Sequence, residues 1–236
     1  MTAYAFAAKP YTKPYKGMGM NGAVARWYAG LTKKSMEDFK ALARRTADQI
    51  PADASVLEVA PGPGYFAVEL AKLGNFQVTG LDISETFVEI ARHNAAKAGV
   101  SIDFRHGNAS GMPFADDSFD FLLCCAAFKN FTEPERALEE MYRVLKPGGQ
   151  GLIIDLRRDA SMEAIRQAVA GMKVGMVNGI ITKLTFRHML LKRAYTKSQF
   201  EQMIAGTKFR AEISENLLRV EIVLSKPAKA LPFPYF

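Results

Sequence analysis

Cysteine is nearly missing from this chain of 236 residues: there are two, Cys124 and Cys125, side by side. Neighbours on an extended chain point to opposite faces, so the pair makes neither a disulfide staple nor a metal knuckle, and a reducing compartment fits. Long apolar runs are missing too. The longest, Phe121 to Phe128, falls far short of the roughly 20 residues of a membrane span. Lys9 and Lys13 interrupt the start of the chain too early for a secretory signal. The expectation is a soluble, cytoplasmic protein. No internal repeat occurs, and low complexity is confined to the proline-rich tail, Pro227 to Phe236. What is present is a 49% hydrophobic, 23% charged composition, enough for one or at most two domains with an ordinary core; disorder and tiny stapled scaffolds are excluded. Lys plus Arg exceed Asp plus Glu by 31 to 24, or +7. That excess invites nucleic acid, anionic substrates or lipid surfaces, although simple solubility is its commoner explanation.

The N-terminal arm, residues 1–34, crowds Tyr4, Phe6, Tyr11, Tyr15, Trp27 and Tyr28 among prolines and glycines without helical or strand periodicity. It is expected to pack on the body or on a ligand. Over 35–50 the apolar positions Met36, Phe39, Leu42, Ala43 and Ala47 recur at three and four, predicting an amphipathic helix ended by Pro51. Strand and helix signals then alternate: strands over 55–59, 76–81, 102–105, 119–125 and 152–156, helices over 66–73, 84–98 and 133–145, with Ser84 as N-cap and Gly99 just past a helix end. This alternation predicts βαβ units and a parallel sheet. The rhythm breaks over about 159–193, a basic, methionine-containing segment that reads as an insertion. It resumes at Thr196, where Thr-Lys-Ser-Gln is a capping box, and ends in two strands close enough to form an antiparallel hairpin.

The most specific local signal is Val56-Leu57-Glu58-Val59-Ala60-Pro61-Gly62-Pro63-Gly64, a strand entering a glycine turn before a helix. Gly62 and Gly64 let backbone approach a ligand closely. Asp82 ends the next strand, where an acid meets the ribose hydroxyls of a nucleoside cofactor; helix capping is its plainer alternative. Gly62-Pro63-Gly64-Tyr65-Phe66-Ala67 also satisfies the dinucleotide fingerprint with Ala in third place. Glu58 discriminates: a carboxylate at the strand tip repels a diphosphate on that turn but attracts the ammonium of a methionine moiety, whereas an exposed Glu58 turned away leaves the choice open.

Read in order, Leu57 to Gly64, Leu81-Asp82-Ile83-Ser84, Gly107-Asn108-Ala109 with Met112-Pro113-Phe114, Ser118-Phe119-Asp120, and Arg143 to Gly149 resemble the class I S-adenosylmethionine-dependent methyltransferases of the ubiquinone/menaquinone-biosynthesis type. The likeness is strong over 50–156 and holds in outline over 196–226. It implies one α/β domain over 1–236: a Rossmann-like three-layer sandwich whose seven-stranded, mostly parallel sheet has an antiparallel last strand. It further implies S-adenosyl-L-methionine as cofactor. Carried over, Gly62 and Gly64 flank the methionine part, Asp82 holds the ribose, Ile83 packs on adenine, Asn108 and Ala109 meet the adenine edge, and the backbone at Cys125 and Ala126 binds the amino group. Tyr28 sits where similar enzymes fold an aromatic over the methionine carboxylate. Two departures are expected to be mild. Ala60 replaces the family's first glycine, which costs little if its φ is negative; Asn108 replaces Asp, its amide oxygen still accepting from the adenine amino group.

An activated methyl group needs alignment in a water-poor pocket, and a base only when the acceptor is protonated. Tyr11, Tyr15, Met18, Trp27, Phe128, Met172 and Met176 are expected to roof the acceptor, with Lys129 and Arg157 neutralising an acidic or phenolic group unless they are solvated surface cations. His188 and Tyr195 are the candidate bases. The sequence after the fourth strand, Ala127-Phe128-Lys129-Asn130, lacks the Asn-Pro-Pro-aromatic tetrad that nucleic-acid amino methyltransferases use. The expectation is therefore methyl transfer to an apolar or aromatic small molecule, with no metal and no nucleic acid, compatible with a homodimer. The alternatives are a nucleic-acid methyltransferase, an NAD(P)-dependent reductase and a non-catalytic cofactor-binding protein.

Overall fold

The computed structural model describes residues 15–16, 19–171 and 191–229. The elements are α1 Gly22–Thr32, α2 Met36–Ala47, β1 Ser55–Val59, α3 Tyr65–Ala71, β2 Gln77–Asp82, α4 Glu85–Ala98, β3 Asp103–His106, β4 Phe119–Cys125, α5 Pro134–Val144, β5 Leu145–Leu156, α6 Met162–Gly171, α7 Lys197–Ala205, β6 Arg210–Glu215 and β7 Arg219–Ser225. The strands form one seven-stranded sheet in the order β3-β2-β1-β4-β5-β7-β6. Strands β1 to β5 pair in parallel, and β7 runs antiparallel to both β5 and β6. The expected α/β architecture is met, hairpin edge included.

The period of two along the strands sorts the core into two layers. Leu57, Val59, Leu122, Cys124 and Ile153 share one cluster with Leu138 and Met141 of α5 and Phe200 of α7. Val56, Phe121, Leu123, Leu152 and Ile154 share the other with Ala43 of α2, Phe66 and Leu70 of α3 and Val88 and Ala91 of α4. Alternation sends Glu58 and Cys125 to the second face, under α3, and separates the two cysteines as expected. Helix ends follow their chemistry: the Ser84 hydroxyl accepts from the Phe87 amide, Gly99 closes α4 in the left-handed region, and Thr196 and Gln199 complete a reciprocal capping box.

Two elements differ from expectation. Residues 22–32 of the arm form a helix; Gly22 and Gly30 within it weaken the propensity signal, while packing of Ala25 and Ala29 at 0% and 7% exposure supplies the stabilisation. Strand β5 begins at Leu145, seven residues early, because Lys146-Pro147-Gly148-Gly149 continues the strand; Gly149 is pressed so close to the Asp120 and Lys146 carbonyls that a Cβ would lie 2.9 Å from each. Gly80 serves the same purpose in β2, where a Cβ would lie 2.4 Å from the Phe104 ring. Gly80→Ala is expected to destabilise by about 2 kcal/mol in denaturant titration, with part of that loss recovered in Gly80→Ala/Phe104→Leu.

Candidate active site

Strand order reverses between β1 and β4, the point at which an open α/β sheet leaves a crevice outside its carboxyl ends. The glycine turn follows β1 there. Gly62 adopts φ +55° and a Cβ on it would meet nothing within 4 Å, so its backbone faces open space; Gly64 adopts φ +72° and is backed by Phe104 and Ala91. The Asp82 carboxylate, 5% exposed, accepts the Gly62 amide at 2.9 Å and the Ser84 amide at 2.8 Å, tying turn to strand end. Ser84, not Asp82, caps α4. A carboxylate offers about four acceptor sites, so with two used, two remain for a sugar diol.

Glu58 is 4% exposed and accepts the Ala67 amide at 3.1 Å. It is therefore buried beneath the turn rather than exposed, which keeps the discrimination alive. α3 is only seven residues long, and one of its unpaired N–H groups is consumed by Glu58, leaving a poor seat for a diphosphate. Burial pushes Glu58 up to about 8 and Asp82 to about 6, with backbone hydrogen bonds from Ala67 and from Ser84 and Gly62 opposing the shifts.

Two alanines mark the same end of the sheet. Ala60, after β1, has φ +56°, and Ala126, after β4, has φ +58°. The condition under which Ala60 was expected to cost little, a negative φ, is not met: its amide is fixed on the Leu81 carbonyl at 2.8 Å, which holds it in a region costing an L-residue about 1–2 kcal/mol. Ala126 is pinned by its amide on Ile154, and its carbonyl accepts the Lys129 ammonium. That carbonyl is thus already engaged, narrowing the expected backbone site for an amino group to Cys125. The Cys125 thiol is pushed up to about 12, chiefly by burial, and stays neutral.

Lys129 is neither a substrate-neutralising group nor a solvated cation. It is 5% exposed, and its ammonium lies 2.9 Å from Asp155, which also accepts the Lys129 and Leu156 amides. Phe128, fully buried against Phe131, Tyr195 and Phe200, is core rather than substrate wall. Arg157 is held by Asp159 at 2.9 Å and Glu215 at 3.5 Å. Trp27 is 66% exposed: consecutive helical residues diverge by about 100°, so with Tyr28 turned inward Trp27 cannot join the roof.

Tyr15 and Tyr28 do lie over the crevice. Tyr28 stacks edge-on against Phe87, and its phenol is pushed up by burial and then by Cys125, Tyr15 and Asp155. The Tyr15 phenol is pushed up by burial, with Arg193 opposing and Asp82 adding to the shift. The arm is anchored at both sides of the crevice: Tyr15 bridges Phe131 and Lys16 donates its amide to Asn130 beyond β4, while Met20 and Asn21 accept the Ser84 hydroxyl beside α4. Tyr195 packs on Phe128 and Phe200 and receives the Lys16 ammonium at 2.6 Å on its hydroxyl. Ile83 is half-buried, its carbonyl 3.1 Å from a His106 ring nitrogen, and Ala109 is buried. The Asn108 amide oxygen accepts the Ser110 amide at 3.0 Å, and its nitrogen is buried without a partner among the described residues. That nitrogen is a donor suited to a ring nitrogen, while the oxygen keeps a second lone pair for the amino group it was expected to meet. Tyr11, Met18, Met172, Met176 and His188 lie outside the described residues. Sequence reasoning missed Lys16 and Asp155; an acid closing the apolar run Leu152-Ile153-Ile154 is the signal that pointed to the latter.

Residues 57–153 match the family described as a methyltransferase domain. Demethylmenaquinone methyltransferases of Deinococcus radiodurans and Chlorobaculum parvum are each 34% identical, over 57% and 65% of this chain and 51% and 62% of theirs. The chain thus spans between half and two thirds of the curated relatives' length. A crystal structure of a putative S-adenosyl-L-methionine-dependent methyltransferase from Methanococcus maripaludis superposes with TM-score 0.73 at 18% identity, covering 92% of this chain and 98% of that one. The chain therefore resembles methyltransferases over residues 57–153, and it shares its fold with a protein described as S-adenosyl-L-methionine-dependent. The resemblance read from its motifs is met.

Two tests bear on these local features. Ala60→Gly, which relieves the positive φ, is expected to stabilise by about 1 kcal/mol, raising the melting temperature by a few degrees while S-adenosylhomocysteine binding persists. Glu58 and Asp82 retain protons in the folded chain that the unfolded chain releases near pH 4. Their contribution to stability therefore falls as pH rises from about 4 to about 8 and is level above that. Thermal melts across that range are expected to show a shallower decline in Glu58→Gln than in the parent.

Proposed function

We propose that this chain transfers a methyl group from S-adenosyl-L-methionine to an apolar or aromatic small molecule bearing an acidic or phenolic group, as a single cytoplasmic domain whose arm 1–34 and insertion 159–193 close the site. The observation that carries the reading is Asp82: buried, bonded to the glycine turn and to the start of α4, with acceptor capacity left over. The unpartnered Asn108 amide nitrogen and the space over Gly62 fit the adenosine and methionine ends of the cofactor. No helix among the described residues is long and apolar enough to cross a membrane.

When bound, the cofactor supplies a methyl group already activated on a sulfonium. The chain's own residues do the remaining work. Asp82 accepts from the ribose hydroxyls, Gly62 and Gly64 admit the methionine part, and Glu58 sets the charge beneath the turn. The Cys125 carbonyl accepts from the ammonium, and Ile83 and Ala109 pack on the adenine. Tyr15 and Tyr28 exclude water, which strengthens every polar contact in the crevice. Tyr195, whose hydroxyl accepts the Lys16 ammonium, and His188 remain the candidate bases, Tyr195 only once it has itself lost its proton. The curated relatives being demethylmenaquinone methyltransferases supports a quinol-type acceptor and carbon methylation.

Calorimetry with S-adenosylhomocysteine is expected to show binding that Asp82→Asn weakens about 10- to 100-fold, the loss of a charged hydrogen bond. Labelled cofactor offered with phenols, reduced quinone precursors, amines and fatty acids is expected to label the first two. Tight binding without product from any acceptor would establish a cofactor-binding protein instead, and preference for NADH a reductase.

A further inference from the structure

The net charge of +7 conceals a segregation. Residues 1–36 contain six Lys and Arg and no Asp or Glu, and residues 164–200 contain seven and none, so the rest of the chain balances at −6. Described residues of the two stretches meet: Lys16 bonds the Tyr195 hydroxyl, and Arg193 acts on the Tyr15 phenol.

Helix α1 belongs to the first stretch and has two distinct faces. Its inner face carries Ala25, Tyr28 and Ala29; the Tyr65 hydroxyl donates to the Ala29 carbonyl at 2.9 Å, and Tyr28 reaches the crevice. Its outer face carries Trp27 and Leu31, one helical turn apart, 66% and 46% exposed. Arg26, Lys33 and Lys34 flank them, exposed, with no ion pair among the described residues. The undescribed stretches contain no Asp or Glu with which to neutralise them. A soluble anion or a nucleic acid would use the cations but leaves a paired Trp and Leu without purpose. A bilayer uses both, because Trp prefers the headgroup level and polybasic flanks bind anionic lipid.

We propose that α1 docks on an anionic lipid surface, Trp27 and Leu31 entering the interface while Arg26, Lys33 and Lys34 lie over the headgroups. Docking places α1 between the bilayer and the crevice that Tyr28 reaches from its opposite face, bringing the site close to a lipid-dissolved acceptor; that last step alone rests on the methyltransferase reading.

Trp27 is the only tryptophan of the chain, so its fluorescence reports on this face directly. The full chain is titrated, without cofactor or acceptor, with phosphatidylcholine vesicles containing about 30% phosphatidylglycerol and with pure phosphatidylcholine vesicles. Expected are a blue shift and quenching by brominated lipid with the anionic vesicles only, reversed by about 0.5 M NaCl. Lys33→Glu/Lys34→Glu is expected to weaken vesicle binding by about tenfold or more while S-adenosylhomocysteine binding, measured separately, is unchanged. Leu31→Ala is expected to weaken it without altering the salt dependence. Water-exposed Trp27 emission in the presence of vesicles would overturn the proposal, as would vesicle binding indifferent to both variants, or an equal response to DNA oligonucleotides. The methyltransferase reading stands or falls on the separate calorimetry and labelling.

Discussion

The site depends on one buried carboxylate. Asp82 ends β2 and reaches across to the turn that ends β1, receiving the Gly62 amide on one oxygen and the Ser84 amide on the other. Without that bridge Gly62 would lose its tie to β2, leaving the turn the Ala60 amide on the Leu81 carbonyl, its own Gly64 to Pro61 bond and Asn94 on the Pro63 carbonyl, and the start of α4 would lose its tie to the sheet. The carboxylate thus sets where backbone is bare, where the helix begins, and where acceptor capacity is left for a ligand. An acid so desolvated is tolerated because each oxygen has a donor.

The other half of the crevice uses a different device for the same end. Beyond β4 and β5, Asp155 gathers the Lys129 amide, the Lys129 ammonium and the Leu156 amide, and Lys129 in turn holds the carbonyl of Ala126 in its left-handed conformation. Such a desolvated ion pair contributes little net stability against a well-packed apolar pair, yet breaking it by removing one partner costs about 3–5 kcal/mol. Its value here is positional. It fixes the strand tip beside Cys125, as Asp82 fixes the turn, and the N-terminal arm spans the interval between the two anchors.

The sheet was legible in the sequence because apolar strands and capped helices alternate at βαβ spacing, and the nucleoside side of the site because a glycine turn and a following acid have few other uses. What escaped was set by tertiary packing. Helix α1 is stabilised by the fit of Ala25 and Ala29 against the body, which its glycines do not advertise. Lys129 looked like a free cation because its partner stands 26 residues later. Trp27 and Tyr28 both read as groups over the site, one for the acceptor and one for the cofactor; a helix turns the first outward and the second inward. Ala60 is a backbone matter: no local pattern announces a positive φ at alanine, since the left-handed state is imposed by the Leu81 carbonyl from the neighbouring strand.

The raised carboxylates give the crevice its preference in ligand charge. With Glu58 pushed to about 8 and Asp82 to about 6, the crevice holds its acid groups against a desolvation penalty, and any ligand that brings positive charge relieves it. A sulfonium nucleoside with an α-ammonium does so twice over, drawing Glu58 toward its ionised form and releasing a proton as it binds. A diphosphate offers no such relief, since nearby negative charge raises both acids further and leaves them protonated. The same buried acids that lower stability as pH rises toward about 8 would therefore couple the binding of a cationic ligand to the release of a proton.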